Sequence, residues 1–410
     1  MQKLIGVLTV FMLALLSMLG ALGASAQDEG VVVITNGVII DGTGAEPLEG
    51  QALVIVGERI AGIYETALYD PPPDAQFIDA EGGTILPGFI NAHTHFTEEF
   101  TDRRDNHLAH GVTSVCNLDT ALEAMPAFDM LRDGDLLGAR GFIAGPMVAV
   151  EGGYPGIAWG EEAAYNVVGP DEAAAAVNVL AENGANYIKI SLEPGPGDWP
   201  VLTLEEVQAV TEAAHANDLE VIAHIENADY LEQALDGGVD MVTHIPHRQG
   251  SGAPFSGTID APEIDAELDA LITRMVEDGV RLIPTLHVIT DSLSIDSLRS
   301  AGMIEFVRRF HERGGVVVVG NDYPIEPTGP GIPLPEMQLL SLAGLSNMEI
   351  IVAGTASAAA ACGQGEELGT LEEGKLADVV IVAGDPLADL NALEDVSLVL
   401  LGGEIAFDYR

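Results

Sequence analysis

Residues 88–95 read GFINAHTH, a short apolar run that ends in two histidines separated by one residue. In an extended strand, side chains two positions apart point in the same direction, so His93 and His95 would face a common point. An open doubly wound sheet places a glycine-rich phosphate-binding loop after its first strand, whereas here histidines follow. The stretch therefore predicts a strand whose end carries a polar site.

Seven further apolar runs follow this strand, and alanine-rich amphipathic stretches separate many of them. The runs cover residues 112–115, 141–150, 187–190, 221–225, 241–245, 282–288 and 316–319. Residues 170–172, Pro-Asp-Glu, open one predicted helix, and Thr203 with Glu206 forms a capping box at the start of another. Eight apolar strands that alternate with helices predict an α/β fold, a (β/α)8 TIM barrel, with an open doubly wound sheet as the alternative.

Both ends of the chain predict short strands. The N-terminal runs occupy residues 31–40 and 52–63, and the C-terminal runs occupy residues 377–382, 396–401 and 404–407. We expect a small β-sandwich domain formed from both chain ends, residues 27–83 and 364–410. A metal-binding barrel over residues 84–363 would lie between these two parts.

The first 26 residues predict a signal peptide. Lys3 gives a positive start, residues 4–22 are uncharged and mostly apolar, and residues 24–26, Ala-Ser-Ala, form a small-x-small cleavage site. An uncleaved membrane anchor is the alternative, because the apolar run is nearly long enough to span a bilayer. We therefore expect an exported protein, periplasmic or extracellular, with no membrane attachment after cleavage.

The charge of the chain narrows the choice of partners. The formal net charge is -48, and the acidic residues are scattered along the sequence. Such a surface argues against nucleic acid and anionic membranes, and it leaves small molecules, short peptides or further copies of the chain, as in a homo-oligomer. A salty habitat is one explanation for the charge, because salt screens the repulsion.

The two cysteines, Cys116 and Cys362, lie in apolar or alanine-rich surroundings. Two cysteines are too few for a disulfide framework. We expect buried free thiols, with a single disulfide in an oxidising compartment as the alternative.

Four more polar residues stand at the ends of predicted strands. Lys189, one of three lysines in the chain, ends the fourth strand, and His224, His244 and Asp322 end the fifth, sixth and eighth. Each alone could be a hydrogen-bonded core residue or a turn residue. Together with the histidine pair they would share the C-terminal end of a barrel. Imidazole and carboxylate groups gathered there suit zinc or a similar divalent ion.

These residues and three longer motifs resemble the amidohydrolase superfamily of metal-dependent hydrolases. The motifs are LPGFINAHTHF at 86–96, HGVTSV at 110–115 and LGTLEEGKLADVVIVAGDPLADL at 368–390. Within the superfamily the chain is most similar to the imidazolonepropionase-like branch, which includes metal-dependent prolidases and dipeptidases. The resemblance spans nearly the whole mature chain.

The resemblance implies two divalent metal ions, with zinc as the expected metal. The implied ligands are His93, His95, Lys189, His224, His244 and Asp322. Lys189 would bridge both ions after its amine reacts with carbon dioxide to form a carbamate. Asp322 would be the general base for a metal-bridged water, and His244 would hold the ion that polarises the scissile carbonyl.

The implied activity is hydrolysis of an amide C–N bond by a dipeptidase or carboxypeptidase that acts on Xaa-Pro dipeptides or N-acyl amino acids. A cyclic amidase or deaminase of the same superfamily is the alternative, and an inactive binding or scaffold relative is the alternative of another class. Candidate substrate contacts are Tyr154, His247, Arg248 and His287. Tyr154 follows two glycines where related enzymes often carry a histidine, so the substrate is open at this point.

Overall fold

The structure is a computed structural model that describes residues 30–96, 104–132, 138–195, 198–247, 254–293 and 296–410. Within these residues the chain has a mixed α/β fold. The predicted signal peptide and Arg248 lie outside them. In this part of the chain, no helix is long and apolar enough to cross a membrane.

The described residues form strands and helices with the following bounds. The strands are β1 (Val31–Thr35), β2 (Val38–Ile39), β3 (Gln51–Val56), β4 (Arg59–Glu65), β5 (Gln76–Asp79), β6 (Thr84–Pro87), β7 (Phe89–Thr94), β8 (Val112–Asn117), β9 (Arg140–Ile143), β10 (Met147–Ala149), β11 (Ala164–Asn166), β12 (Ile188–Ser191), β13 (Val221–His224), β14 (Met241–Thr243), β15 (Phe255–Thr258), β16 (Ala261–Ile264), β17 (Arg281–Ile283), β18 (Val379–Val382), β19 (Val396–Leu401) and β20 (Glu404–Asp408). The helices are α1 (Arg104–Ala109), α2 (Met125–Arg132), α3 (Gly156–Trp159), α4 (Pro170–Glu182), α5 (Leu204–Ala216), α6 (Ala228–Asp236), α7 (Ala266–Glu277), α8 (Leu286–Leu293), α9 (Leu298–Glu312), α10 (Leu334–Leu342), α11 (Asn347–Ala353) and α12 (Ala356–Ala361).

Most of the middle strands pair in parallel, and β15 and β16 form a separate antiparallel pair. Strands β7, β8 and β9 form one sheet, and a second sheet has the order β11-β10-β12-β13-β14-β17. Helix α5 connects β12 to β13, and helix α6 connects β13 to β14, so these are βα units. All four residues of β12 and of β13 are buried, as expected for strands covered by other elements on both faces.

The run at 316–319 was predicted as the eighth strand, and the structure assigns no strand there. The segment instead makes a single parallel bridge from Val317 to Leu282. Its backbone still joins both sheets: Val318 donates a hydrogen bond to the carbonyl of Leu282 (2.8 Å), and Ala92 of β7 donates one to the carbonyl of Val319 (3.0 Å). The prediction of a regular strand is therefore wrong, although the segment lies between β7 and β17.

Both predicted helix starts are confirmed. Pro170 is the first residue of α4, where the amide hydrogen that proline lacks has no helical partner. Thr203 caps α5 by accepting a hydrogen bond from the amide of Glu206, whose carboxylate accepts one from the amide of Thr203. The buried face of α5 includes Val207 and Val210, which pack in the large hydrophobic core.

Strands from both chain ends share one sheet. Its order is β2-β6-β18-β19-β20, and a second sheet has the order β4-β3-β1-β5. A turn at residues 57–58 joins β3 to β4 as an antiparallel hairpin. Ile34 and Leu53 of one sheet lie in the same buried cluster as Ile85 and Ile381 of the other, so the two sheets pack through an apolar layer.

The two cysteines form a disulfide, so the expectation of free thiols is wrong. Cys116 is the second-to-last residue of β8. Cys362 directly follows α12, which packs against β7. Their Cα atoms are 6.0 Å apart, within the normal range for a disulfide. The two residues are 246 positions apart in sequence, so no local sequence pattern indicates that they lie close together.

Candidate metal centre

The structure brings all six predicted ligands to one place. His93 and His95 stand at the end of β7, Lys189 lies in β12, and His224 ends β13. His244 follows β14, and Asp322 follows the segment that joins the two parallel sheets. They meet because the carboxyl ends of parallel strands lie at the same edge, and each of these side chains comes at or near such an end.

His93, His95 and Asp322 form the first group. The Nε2 atoms of the two histidines are 3.0 Å apart, and they lie 3.1 Å and 3.0 Å from Asp322 Oδ1. The backbone fixes the aspartate, because its amide donates to the carbonyl of His93 (3.0 Å). Beside it, the side chain of Asn91 donates to Asn321 Oδ1 (2.7 Å), which ties the two chain segments together.

The first group fits a small divalent ion. Zinc binds histidine nitrogen and carboxylate oxygen at about 2.0–2.2 Å, so tetrahedral ligand atoms stand roughly 3.3 Å apart. The three facing atoms of His93, His95 and Asp322 are 3.0–3.1 Å apart, close to that spacing. All three side chains can therefore hold one ion after shifts of a few tenths of an ångström.

His224 and His244 form the second pair. His224 Nδ1 lies 3.0 Å from His244 Nε2, so the two rings present a nitrogen atom each to a shared point. The His93 ring lies next to this pair, with its centroid 5.1 Å from that of His244. The other nitrogen of His244, Nδ1, lies 2.6 Å from Thr285 Oγ1.

Lys189 is completely buried. Its Nζ donates a hydrogen bond to Thr243 Oγ1 (2.7 Å) on β14, which is separated from β12 by β13. Burial lowers the pKa of Lys189 to about 7, although the negative charges of Asp322 and Asp119 oppose the shift. A substantial part of this lysine is therefore a neutral, nucleophilic amine near neutral pH.

The histidines and the aspartate of the site have protonation states that can bind a metal cation. Burial lowers the pKa of His93 to about 4 and holds the pKa values of His224 and His244 well below 6.5, so the imidazoles are neutral. Burial alone would raise the pKa of Asp322, but His93 and its neighbour His95 hold it well below the usual value. Neutral imidazoles and an ionised carboxylate are the forms that bind divalent metals.

Three residues around the site have a left-handed backbone conformation. The φ angles are 71° at His244, 47° at Thr285 and 63° at Asp322. Residues other than glycine rarely adopt such angles, and strained residues of this kind concentrate at functional sites. His244 directly follows β14, Thr285 comes two residues after β17, and Asp322 comes three residues after the joining segment. At each of these positions the backbone leaves the strand direction.

A cavity of about 400 Å³ opens onto the second histidine pair. The predicted substrate residues Tyr154 and His247 line it, together with Trp159 and Trp199, which are the only tryptophans in the chain. His287 lies on α8 and is not among the described residues that line the cavity, although Val288 and Ile289 are. Aromatic walls beside polar groups are typical of small-molecule sites.

Sequence reasoning missed several residues of the site. Glu193, His224 and Glu226 each place one ligand atom within 4.8 Å of the others, which makes them a second candidate metal-binding group. Glu226 stands two residues after His224, the same strand-end spacing that marked His93 and His95, so a signal for it existed. Thr285 carried no such signal, because a threonine before a helix is common.

The sequence comparisons agree with this geometry. The amidohydrolase family matches residues 84–406. An imidazolonepropionase from Caldanaerobacter subterraneus subsp. tengcongensis is 27% identical over 339 residues, which cover 74% of this chain and 77% of that protein.

Solved structures agree as well. A Xaa-Pro dipeptidase crystallised with methionine in its active site has a TM-score of 0.75 and 26% identity, and the match covers 92% of this chain and 99% of the other. A putative prolidase from Bifidobacterium longum has a TM-score of 0.75 and 26% identity, and the match covers 92% and 95% of the two chains.

Proposed function

This chain belongs to the amidohydrolase family and is a hydrolase that acts on C–N bonds, and on that premise we propose that it is an exported, binuclear metallopeptidase. Its substrates would be Xaa-Pro dipeptides or N-acyl amino acids. The observation that carries the proposal is the convergence of the two ligand groups, His93/His95/Asp322 and His224/His244, around the buried amine of Lys189.

The residues divide between two divalent ions, with zinc the metal we expect. His93, His95 and Asp322 would hold the first ion, and His224 Nδ1 with His244 Nε2 would hold the second. Bound there, the ions would supply a Lewis acid for the scissile carbonyl and lower the pKa of the attacking water.

Asp322 would move the proton in the reaction. Its Oδ1 atom faces the histidines, which leaves Oδ2 to accept a proton from the attacking water. The carboxylate is ionised, because His93 and His95 keep its pKa low, so it can take that proton and return it to the leaving nitrogen. His244 would hold, through Nε2, the second ion, which would polarise the scissile carbonyl.

Lys189 would become a carbamate. The neutral Nζ amine forms a bond to the carbon of carbon dioxide and releases one proton to solvent, so the side chain gains one negative charge. Complete burial supports this step, because an ammonium at this position would be removed from water. A carbamate of Lys189 has two oxygen atoms, one for each ion, and would bridge the two ligand groups.

We further propose that the parallel strands close into an eight-stranded barrel over residues 84–363. The hydrogen bonds that residues 316–319 make to β7 and β17 support closure on one side. On the other side the amide of Asn186, just before β12, donates to the carbonyl of Ile143 in β9 (2.8 Å). The shared apolar layer of the two terminal sheets supports a β-sandwich formed by residues 27–83 and 364–410.

Export is supported by two features. The sequence of residues 1–26 has the pattern of a cleaved signal peptide. The disulfide between Cys116 and Cys362 is the kind of bond that persists in oxidising compartments. The protein would then work outside the cytoplasm, in the periplasm or the extracellular medium.

A cyclic amide is the second candidate substrate. The imidazolonepropionase relative favours it, since the name of that protein refers to a cyclic substrate. The two prolidase-like structures match more of this chain and favour the dipeptide.

The test is a substrate panel on full-length processed protein, loaded with zinc or manganese in the presence of bicarbonate. We expect hydrolysis of Xaa-Pro dipeptides or N-acyl amino acids that is lost after chelation and recovered on adding metal. Turnover of cyclic amides alone would replace the peptidase proposal with the second candidate. A loaded protein that hydrolyses no amide would contradict both.

A further inference from the structure

We propose that Thr285 is a positioning residue that fixes the ring of His244 for metal binding. This inference rests on the proposed function, because it concerns the second ion. Thr285 Oγ1 lies 2.6 Å from His244 Nδ1, and Thr285 is completely buried. The hydroxyl oxygen can accept a hydrogen bond from a protonated Nδ1, which then leaves the opposite nitrogen, Nε2, with a free electron pair.

The free electron pair of His244 Nε2 points toward the other histidine of the pair. His244 Nε2 faces His224 Nδ1 at 3.0 Å, so it points to the place where the second ion would bind. A histidine ligand needs an unprotonated nitrogen toward the metal, and a hydrogen bond to its other nitrogen sets the tautomer. Thr285 makes that hydrogen bond, so it would set the tautomer of His244.

The backbone at Thr285 is strained in a way that this role explains. Its φ angle is 47°, and it is the only β-branched residue with positive φ in the described part of the chain. Such a conformation is unfavourable for threonine, because its branched side chain crowds the backbone. Asparagine or glycine would fit the turn better but could not place a hydroxyl oxygen beside Nδ1.

A buried carboxylate holds the strained turn. Both oxygens of Glu336 accept backbone hydrogen bonds, from the amides of Leu286 (2.9 Å) and His287 (2.6 Å), the two residues directly after Thr285. Glu336 lies on α10, is completely buried, and reaches the first turn of α8. The turn is therefore held from outside, which lets Thr285 keep its position under His244.

The competing explanation is that Thr285 only supplies a hydrogen-bond partner for the buried Nδ1 atom of His244 and has no effect on metal binding. Thr285→Val removes the hydroxyl with little change of shape, and Thr285→Ser keeps the hydroxyl without the branch. Thr285→Ala removes the hydroxyl and lowers the strain at positive φ, which offsets part of the cost of leaving His244 Nδ1 without its partner. Thr290→Val is the matched control, because Thr290 is buried and its hydroxyl bonds only backbone carbonyls of the same helix.

The test is the affinity for the second equivalent of zinc, measured by competition with a chelator. Thr285→Val and Thr285→Ala should weaken it about 10- to 100-fold, as removal of a hydrogen-bond partner of a ligand does, and leave the first equivalent unchanged. Thr285→Ser and Thr290→Val should stay close to the wild type. Second-site affinity equal to the wild type in both Thr285→Ala and Thr285→Val would overturn the inference.

A second measurement separates this inference from the proposed function. A wild-type protein that binds fewer than two ions would contradict the binuclear proposal but not the tautomer. In metal-free protein labelled with ¹⁵N at histidine, we expect the His244 ring, assigned by loss of its signals in His244→Gln, to carry its proton on Nδ1. Thr285→Ala should change that signal pattern, and an unchanged pattern would overturn the role of Thr285.

Discussion

Lys189 Nζ lies 2.7 Å from Thr243 Oγ1, and both side chains are completely buried although β13 separates their strands, β12 and β14. This hydrogen bond joins the amine that would carry the bridge to the residue directly before His244. It gives a buried amine its hydrogen-bond acceptor. The contact therefore links the position of the lysine to the strand that precedes His244 of the second histidine pair.

Thr243→Val should destabilise the metal-free protein. It leaves a buried amine without its acceptor, which costs about 1–3 kcal/mol of the free energy of unfolding. Thr113→Val is the control, because Thr113 Oγ1 is buried and has no hydrogen-bond partner among the described residues. Urea unfolding of both variants measures the difference, and equal stabilities would show that the hydrogen bond to Lys189 contributes nothing.

Asp322→Asn should remove the proton carrier. An amide cannot accept the proton of the attacking water, and the loss of a general base lowers kcat by about 100- to 10,000-fold. The first ion should also bind more weakly, because the charge that faces His93 and His95 is gone. Kinetics at saturating metal isolate the effect on kcat, and a kcat within a few-fold of the wild type would assign the base elsewhere.

Glu336 should make the stability depend on pH. Burial raises its pKa from 4.5 to about 7 in the folded protein. A carboxyl with a raised pKa binds more protons in the folded than in the unfolded protein. The free energy of unfolding therefore falls as pH rises from about 4.5 to 7. The lost stability is on the order of 3 kcal/mol.

Comparison with Glu336→Gln isolates this effect from the other titrating groups. The variant does not titrate at this position, so its stability relative to the wild type should improve as pH rises from about 4.5 to 7. Urea midpoints of both proteins across this range give the difference. A difference that stays constant with pH would show that Glu336 does not change its protonation there.

The disulfide should stabilise the protein substantially. Replacing Cys116 and Cys362 together by alanine should cost about 2–5 kcal/mol, because the bond closes a long loop in the unfolded chain. The wild type should also show no reactive thiol when unfolded without reductant. Two thiols per chain under those conditions would contradict the disulfide in the native protein.

The candidate metal ligands could be predicted to lie together, because they follow a local rule. His93, His224 and Asp322 each follow an apolar run, and parallel strands gather their carboxyl ends at one edge. The rule needs only the order of the strands, which apolar periodicity gives. The rule holds even for the segment at 316–319, which forms no regular strand. Asp322 follows this segment and still lies beside His93 and His95.

Other features depend on contacts that no local pattern contains. Glu336 bonds the amides of Leu286 and His287, which lie about 50 positions earlier, through the packing of α10 against α8. The disulfide joins residues 246 positions apart. The positive φ of Thr285 opposes the preference of a β-branched residue, so propensity points away from it. These features arise from tertiary packing and were missed for that reason.

Metal content tests the central claim, a bridge through Lys189, most directly. Protein loaded with zinc and bicarbonate should hold about two ions per chain, and Lys189→Met should lose most of the bound metal. Lys375→Met is the control, because Lys375 lies in the C-terminal part of the chain and donates to the backbone carbonyls of Gly365 and Leu368. Two ions retained in Lys189→Met, or none in the wild type, would contradict the account.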